Sequence, residues 1–174
     1  MFIGLIIGIS LSMDAFSLSL AYGTLMMSKK RTYLLASIVG LYHFFMPLLG
    51  LFVGKNIVKL LLIKPNTLVF IILFLIGMEM IIESFKENNI VNKMGIIEMF
   101  TFGLAVSIDS FSLGFSLKTI YHNPYILVLL FSILSFIFTV IGLNIGRYVS
   151  KKMGPLATIF GGFILIIISF FYLV

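Results

Sequence analysis

The sequence predicts an all-α integral membrane protein of six transmembrane helices arranged as an inverted three-plus-three repeat, and three observations point there. First, 61% of the residues are hydrophobic, only 10% are charged and mean hydropathy is +1.22, whereas a soluble domain has about 25% charged residues. Second, six apolar runs divide the chain, at about 2–22, 34–54, 67–85, 96–117, 125–145 and 156–173, each close to the roughly 20 residues that cross a bilayer as helix. The runs are continuously apolar and lack the period-two alternation of a membrane barrel strand. Third, the chain repeats itself. At a shift of 95, Gly8, Ser12, Asp14, Phe16, Ser17 and Leu18 recur as Gly103, Ser107, Asp109, Phe111, Ser112 and Leu113.

The first run opens with MFIGLIIGIS, which has no basic leader and no small-residue cleavage site, so it is expected to be a retained helix rather than a signal peptide. The second follows Lys29, Lys30 and Arg31 and contains Pro47, which frees a backbone carbonyl inside the span. The third carries Glu79 and Glu83, four apart on one face, with Glu83 three residues before Lys86. An interfacial, snorkelling role suits Glu83, and Glu79 is a secondary site candidate. The fourth opens on Glu98, where a carboxylate complements the helix dipole. In the fifth, GLNIGRYVSK (142–151) matches GLFVGKNIVK (50–59) of the second at a shift of 92, both with G-x-x-x-G and a basic residue. Asn144 between Gly142 and Gly146 is expected to hydrogen-bond at a close helix crossing. The sixth, GFILIIISF (162–170), matches GMEMIIESF (77–85) at a shift of 85; the shift shrinks because the second half has shorter loops.

Each half, 1–87 and 95–174, holds three spans within one transmembrane domain of 1–174. Three is odd, so the second half must enter the membrane from the opposite side. Such inverted repeats are related by a pseudo-twofold axis in the membrane plane and place substrate at the midplane between the halves. Symmetry would bring helices 1 and 4 together antiparallel, with Asp14 and Asp109 facing each other at mid-depth.

The net charge of +6 sits in loops beside spans, where it sets orientation rather than binding nucleic acid. Lys29, Lys30, Arg31, Lys86, Lys93, Arg147, Lys151 and Lys152 fall on one side and Lys55, Lys59, Lys64 and Lys118 on the other. The positive-inside rule then puts both termini outside. The chain has no cysteine, which excludes disulfides, thiolate metal sites and cysteine nucleophiles. No G-x-x-x-x-G-K-[ST] stretch occurs and the loops leave no room for a soluble catalytic domain, so neither an ATP site, an enzyme activity nor a resident cofactor is expected. The partners expected are the lipid bilayer and a small transported species.

An ionised Asp at a helix centre costs about 2.5–3.5 kcal/mol on insertion scales, and intramembrane carboxylates are functional candidates by default. Asp14 and Asp109 are therefore expected to hold a cation or protons; a neutral Asp bonded to the next helix is the structural alternative. Ser12, Ser17, Ser107 and Ser112 add hydroxyl oxygens in both halves, and Met13 adds a thioether in one. Small residues of this kind also serve close helix packing. Oxygen-dominated sites suit hard or borderline divalent ions such as Mg2+ or Mn2+. His43, one turn before Pro47, is either a packed hydrogen-bonding residue or a proton-handling one. The competing classes are an intramembrane aspartyl protease, whose G-x-G-D context is missing, an amino-acid exporter, for which no mid-span cation is evident, and a non-transporting assembly protein.

Nearly end to end, the chain resembles the bacterial manganese efflux pumps of the MntP type. SMDAFSLSL (12–20) is similar to that family's first-helix signature and SIDSFSLG (107–114) to its second. MPLLGLFVG (46–54), IGMEMIIESF (76–85), GLNIGRYVSKKMG (142–154) and IFGGFILI (159–166) resemble its remaining blocks. A related branch of such proteins is linked to sporulation. The resemblance implies export of Mn2+ across the bacterial cell membrane, with Asp14 and Asp109 in the place of the family's two helix carboxylates. His43 stands where the family has Gln or Glu, and Glu79 where it has a basic residue. Export of a dication against an inside-negative potential costs about 4.6 kcal/mol per 100 mV, so exchange for protons is the simplest drive, and another cation or a small solute is the alternative cargo.

Overall fold

The computed structural model describes residues 2–58, 65–85, 95–120, 124–153 and 155–171. These form six helices: α1 (Phe2–Gly23), α2 (Lys29–Val58), α3 (Pro65–Ser84), α4 (Ile96–Ile120), α5 (Tyr125–Met153) and α6 (Pro155–Phe171). No strand occurs among the described residues. Each helix contains the apolar run expected of it to within a few residues. Helices α2 and α5 run longer than their apolar runs, because α2 takes in Lys29–Arg31 at its start and α5 takes in Arg147 and Lys151–Lys152 at its end. Hydropathy marks only the part of a helix that sits in hydrocarbon. Cationic side chains carry the helix on into the interface and, on α5, meet the negative end of the dipole.

The helix starts follow from local chemistry. Ser28 caps α2, its hydroxyl accepting from Arg31 N–H at 3.4 Å and its carbonyl from Thr32 N–H at 3.0 Å. At the start of α4 the Glu98 carboxylate accepts the Gly95 N–H at 3.0 Å, the returning half of a capping box. Pro65 and Pro155 open α3 and α6 in the first-turn position, where the missing N–H would have no helical partner. Gly4–Gly23, Lys29–Phe52 and Tyr125–Met153 are long and apolar enough to cross a membrane. The chain is thus a multi-pass helical membrane protein. Lys59, Lys64, Lys86 and Lys93, which bear on its orientation, lie outside the described residues.

The two halves interleave. Helix α1 packs chiefly on α5, α4 on α2, α3 on α6 and α2 on α5, with lighter contacts of α1 with α6 and α4 and of α3 with α4. Glycines set the closest crossings. A Cβ on Gly146 would overlap the Leu20 carbonyl and reach Gly23 Cα at 2.9 Å, and one on Gly142 would lie 2.7 Å from the Phe16 carbonyl. On the other side, a Cβ on Gly50 would overlap the Phe111 carbonyl and one on Gly114 the Pro47 carbonyl. Backbones at such crossings touch directly, which is how helices associate in lipid, where burying apolar surface gains nothing. Around α1, α3 and α4 the core is built from Tyr22, Leu73, Met80, Met99 and Phe102, and a second cluster joins Leu11, Leu117, Val128 and Phe131.

Candidate metal centre

Asp14 and Asp109 lie on α1 and α4, helices that touch, and are close enough for the charge of one to act on the other. Asp14 is exposed on α1 together with Ser10, Met13 and Ser17, while Asp109 is partly buried. These four residues share one exposed face of α1, which also carries Ile6. Ser17 donates to the Met13 carbonyl at 2.9 Å, leaving its oxygen lone pairs toward that face. Met13, 45% exposed, shares it.

Ser12 and Ser107 point elsewhere. Two residues of helix turn them about 200° from their aspartates, and both are fully buried. Ser12 donates to the Gly8 carbonyl at 2.7 Å and its oxygen lies 3.3 Å from the Ser135 hydroxyl of α5; Ser107 donates to the Leu104 carbonyl at 3.2 Å. These two serines serve the α1–α5 and α4–α2 packing faces rather than the carboxylate face. Asn144 likewise differs from expectation. It is exposed and donates to the Val140 carbonyl of its own helix at 2.8 Å, while Gly142 and Gly146 on either side make the crossing with α1. The side chains of Ser112, Glu79 and Glu83 lie outside the described residues.

His43 is fully buried on α2. Its Nδ1 lies 2.9 Å from the Val39 carbonyl, which can only accept, so Nδ1 carries the hydrogen and Nε2 offers a lone pair. Nε2 has no partner. Pro47, four residues on, has no N–H to give the His43 carbonyl, so this turn combines two electron-pair donors. Among the described residues no three His, Cys, Asp or Glu side chains converge. Near the α1–α4 contact the side chains offer the Asp14 and Asp109 carboxylates, the Ser17 hydroxyl and the Met13 thioether. Ser135, the hydroxyl opposite Ser12, was not legible as a polar partner: it is a lone serine whose repeat equivalent, at the shift of 92, is His43.

A helical multi-pass membrane protein with an acidic pair between two touching helices is the class these features define, and comparison with known proteins narrows it. The sequence model of the family described as "Putative manganese efflux pump" matches residues 26–173. The chain is 34% identical over 173 residues to the "Putative manganese efflux pump MntP" of Bacillus velezensis, covering 95% of this chain and 93% of that protein. It is 35% identical over 163 residues to the protein of the same description from Halalkalibacterium halodurans, covering 92% and 90%. The chain belongs to the MntP family. No solved structure matches it.

Proposed function

We propose that this protein is a secondary transporter that exports Mn2+ from the bacterial cytoplasm, holding the ion between Asp14 and Asp109 and exchanging it for protons. The observation that carries the reading is the placement of these carboxylates. They are repeat equivalents, they lie on touching helices, and the charge of Asp109 reaches Asp14. A dication neutralises both in one state and two protons do so in the other. The descriptions of the relatives supply the ion, and the oxygen-rich donor set agrees with it.

The packing supports an inverted repeat of six spans. Exchanging α1 with α4, α2 with α5 and α3 with α6 maps the four principal contacts onto themselves. Equivalent residues also meet one another. Ser132 donates to the carbonyl of its counterpart Gly40 at 2.8 Å, and Gly77 and Gly162 each place a carbonyl 2.7 Å from where the other's Cβ would be. Gly8 abuts Leu130 and Leu134, as Gly103 abuts their equivalents Ile38 and Tyr42. Self-paired positions of this kind lie along a pseudo-twofold axis, and the same repeat symmetry relates Asp14 to Asp109. The surplus of basic residues at the connections α1–α2, α3–α4 and α5–α6, helix ends included, supports an orientation with those connections in the cytoplasm and both termini outside.

Cellular manganese in a host lacking its own exporter tests this. The parental chain lowers it and restores growth in excess Mn2+, whereas D14N and D109N, inserted to the same level, do neither. Unchanged manganese with well-inserted parental protein would remove Mn2+ as cargo. In proteoliposomes, outward Mn2+ movement acidifies the compartment the ion leaves; Mn2+ flux with no pH change would remove proton exchange and leave the ion site standing.

A further inference from the structure

Tyr22 on α1 and Phe102 on α4 stack with ring centroids 4.6 Å apart and planes 18° from parallel. Both are buried, with exposures of 3% and 0%. Tyr22 lies eight residues beyond Asp14 and Phe102 seven residues before Asp109. The helices are antiparallel, so both steps lead toward the side of the loop joining α1 to α2, and at 1.5 Å per residue the stack sits about 11 Å from the carboxylates. The environment of α1 changes between the two levels. Ser10, Met13, Asp14 and Ser17 are exposed, whereas Ala21, Tyr22, Thr24 and Leu25 in the following turns are buried. The stack therefore closes the α1–α4 contact between the level of the carboxylates and the α1–α2 loop.

The glycine crossings say which helices can part. Backbone contact at Gly142 and Gly146 fixes α1 to α5, and backbone contact at Gly50 and Gly114 fixes α2 to α4. The contact of α1 with α4 is lighter, and the aromatic stack is part of it. Rigid units therefore form across the two sequence halves, α1 with α5 and α2 with α4; α2 packs on α5 between them, and the lighter part of the seam runs past Asp14, Asp109, Tyr22 and Phe102.

We propose that Tyr22 and Phe102 are the gate that closes this seam on the side of the α1–α2 loop, separating the carboxylate pair from that face of the membrane. This rests on the transport reading above. The repeat equivalents of Tyr22 and Phe102 are Leu117 and Ile7. Both belong to the apolar cluster at the opposite ends of α1 and α4. The counterpart on the other side is thus aliphatic, and it is packed in this structure as well. Parting stacked rings means leaving a geometry that aromatic pairs prefer, so with no ion bound the protein rests with the aromatic side shut.

The chain has no cysteine, so engineered thiols report without background. In proteoliposomes, bridging Tyr22→Cys to Phe102→Cys with a short cleavable bifunctional reagent stops Mn2+ movement, and cleaving the bridge restores it. Bridging Phe16→Cys to Phe138→Cys, whose rings meet at 6.3 Å between α1 and α5, leaves transport running because those helices move together. Undiminished transport through a quantitatively bridged Tyr22–Phe102 pair overturns the gate, and arrest by both bridges overturns the assignment of rigid units. Should the parental chain move no Mn2+, the transport reading fails, and the gate is then read by labelling alone. A Ser17→Cys reporter is labelled by a membrane-impermeant thiol reagent from the α1–α2 loop side only after Tyr22→Ala and Phe102→Ala are added. Equal labelling with and without those changes overturns it.

Discussion

Asp14 on α1 lies within electrostatic reach of Asp109 on α4, an arrangement that costs stability where both carboxylates are charged. Removing one charge relieves that repulsion, so D14N is expected to unfold at a higher temperature than the parental protein in metal-free detergent solution while losing Mn2+ export. A lower midpoint would mean that the Asp14 carboxylate has a structural partner. His43 gives a second case. Its Nε2 is buried without a partner, and the Val39 carbonyl that accepts from Nδ1 keeps its own helical N–H when the ring is gone. Replacing an unsatisfied buried polar group by an apolar one of similar size is neutral or stabilising. His43→Leu should therefore leave the thermal midpoint unchanged or raised, and a loss of more than about 1 kcal/mol would show that Nε2 is satisfied in the membrane. The acidic pair was legible from sequence because it is duplicated and improbable in an apolar run. The separation of Ser12 and Ser107 from it was not, since a motif spacing of two residues on a helix points opposite ways and only packing shows which way is inward.

Glycine spacing predicted that helices 2 and 5 make close crossings, but sequence alone could not say with which partner, because small residues license an approach without naming the other helix. The structure gives α5 to α1 and α2 to α4, with Phe16 and Phe111, equivalent in the repeat, presenting the carbonyls that face Gly142 and Gly50. A ranking of substitutions follows from what an added Cβ would meet. At Gly50, Gly114 and Gly146 it overlaps a carbonyl of the neighbouring helix; at Gly142 it lies 2.7 Å from one; at Gly40 the nearest atom is the Ser132 carbonyl at 3.2 Å. Backbone cannot yield as a side chain does, and overpacking costs about 1–3 kcal/mol. Glycine-to-alanine changes should lower the thermal midpoint in that order, Gly50, Gly114 and Gly146 most and Gly40 least. A flat series would mean that the helices separate freely at these crossings. Helix ends were less legible than helix centres. Hydropathy stops at the hydrocarbon boundary, whereas α2 and α5 continue through basic residues that snorkel.

The interleaving of the halves decides how the molecule is assembled. Sequence divides one transmembrane domain, 1–174, into two three-helix repeats, 1–87 and 95–174, and the principal partner of α1 is α5 and that of α4 is α2. A fragment ending at 87 would expose to lipid the α1 face that carries Gly8, Ser12 and Ser19, all buried against the second half in the whole chain. Polar hydroxyls and unfilled glycine grooves facing lipid are poorly satisfied, so the fragment's helices insert but do not settle into one packing. Neither 1–87 nor 95–174 produced alone should lower cellular manganese, and both should be cleared faster than the intact chain. Produced together they should recover part of the export, since every missing contact is between fragments and none depends on the link from α3 to α4. Export by 1–87 alone would instead mean that a second copy of the first half can take the place of the second, with Asp14 facing another Asp14. The repeat makes that pairing conceivable, and Gly114 and Gly142 have as their equivalents Ser19 and Gly50. A homodimer of the first half would therefore meet Gly50 with Ser19 where the intact chain joins Gly50 to Gly114, so its crossing would have the spacing that Gly142 and Ser19 already set between α5 and α1.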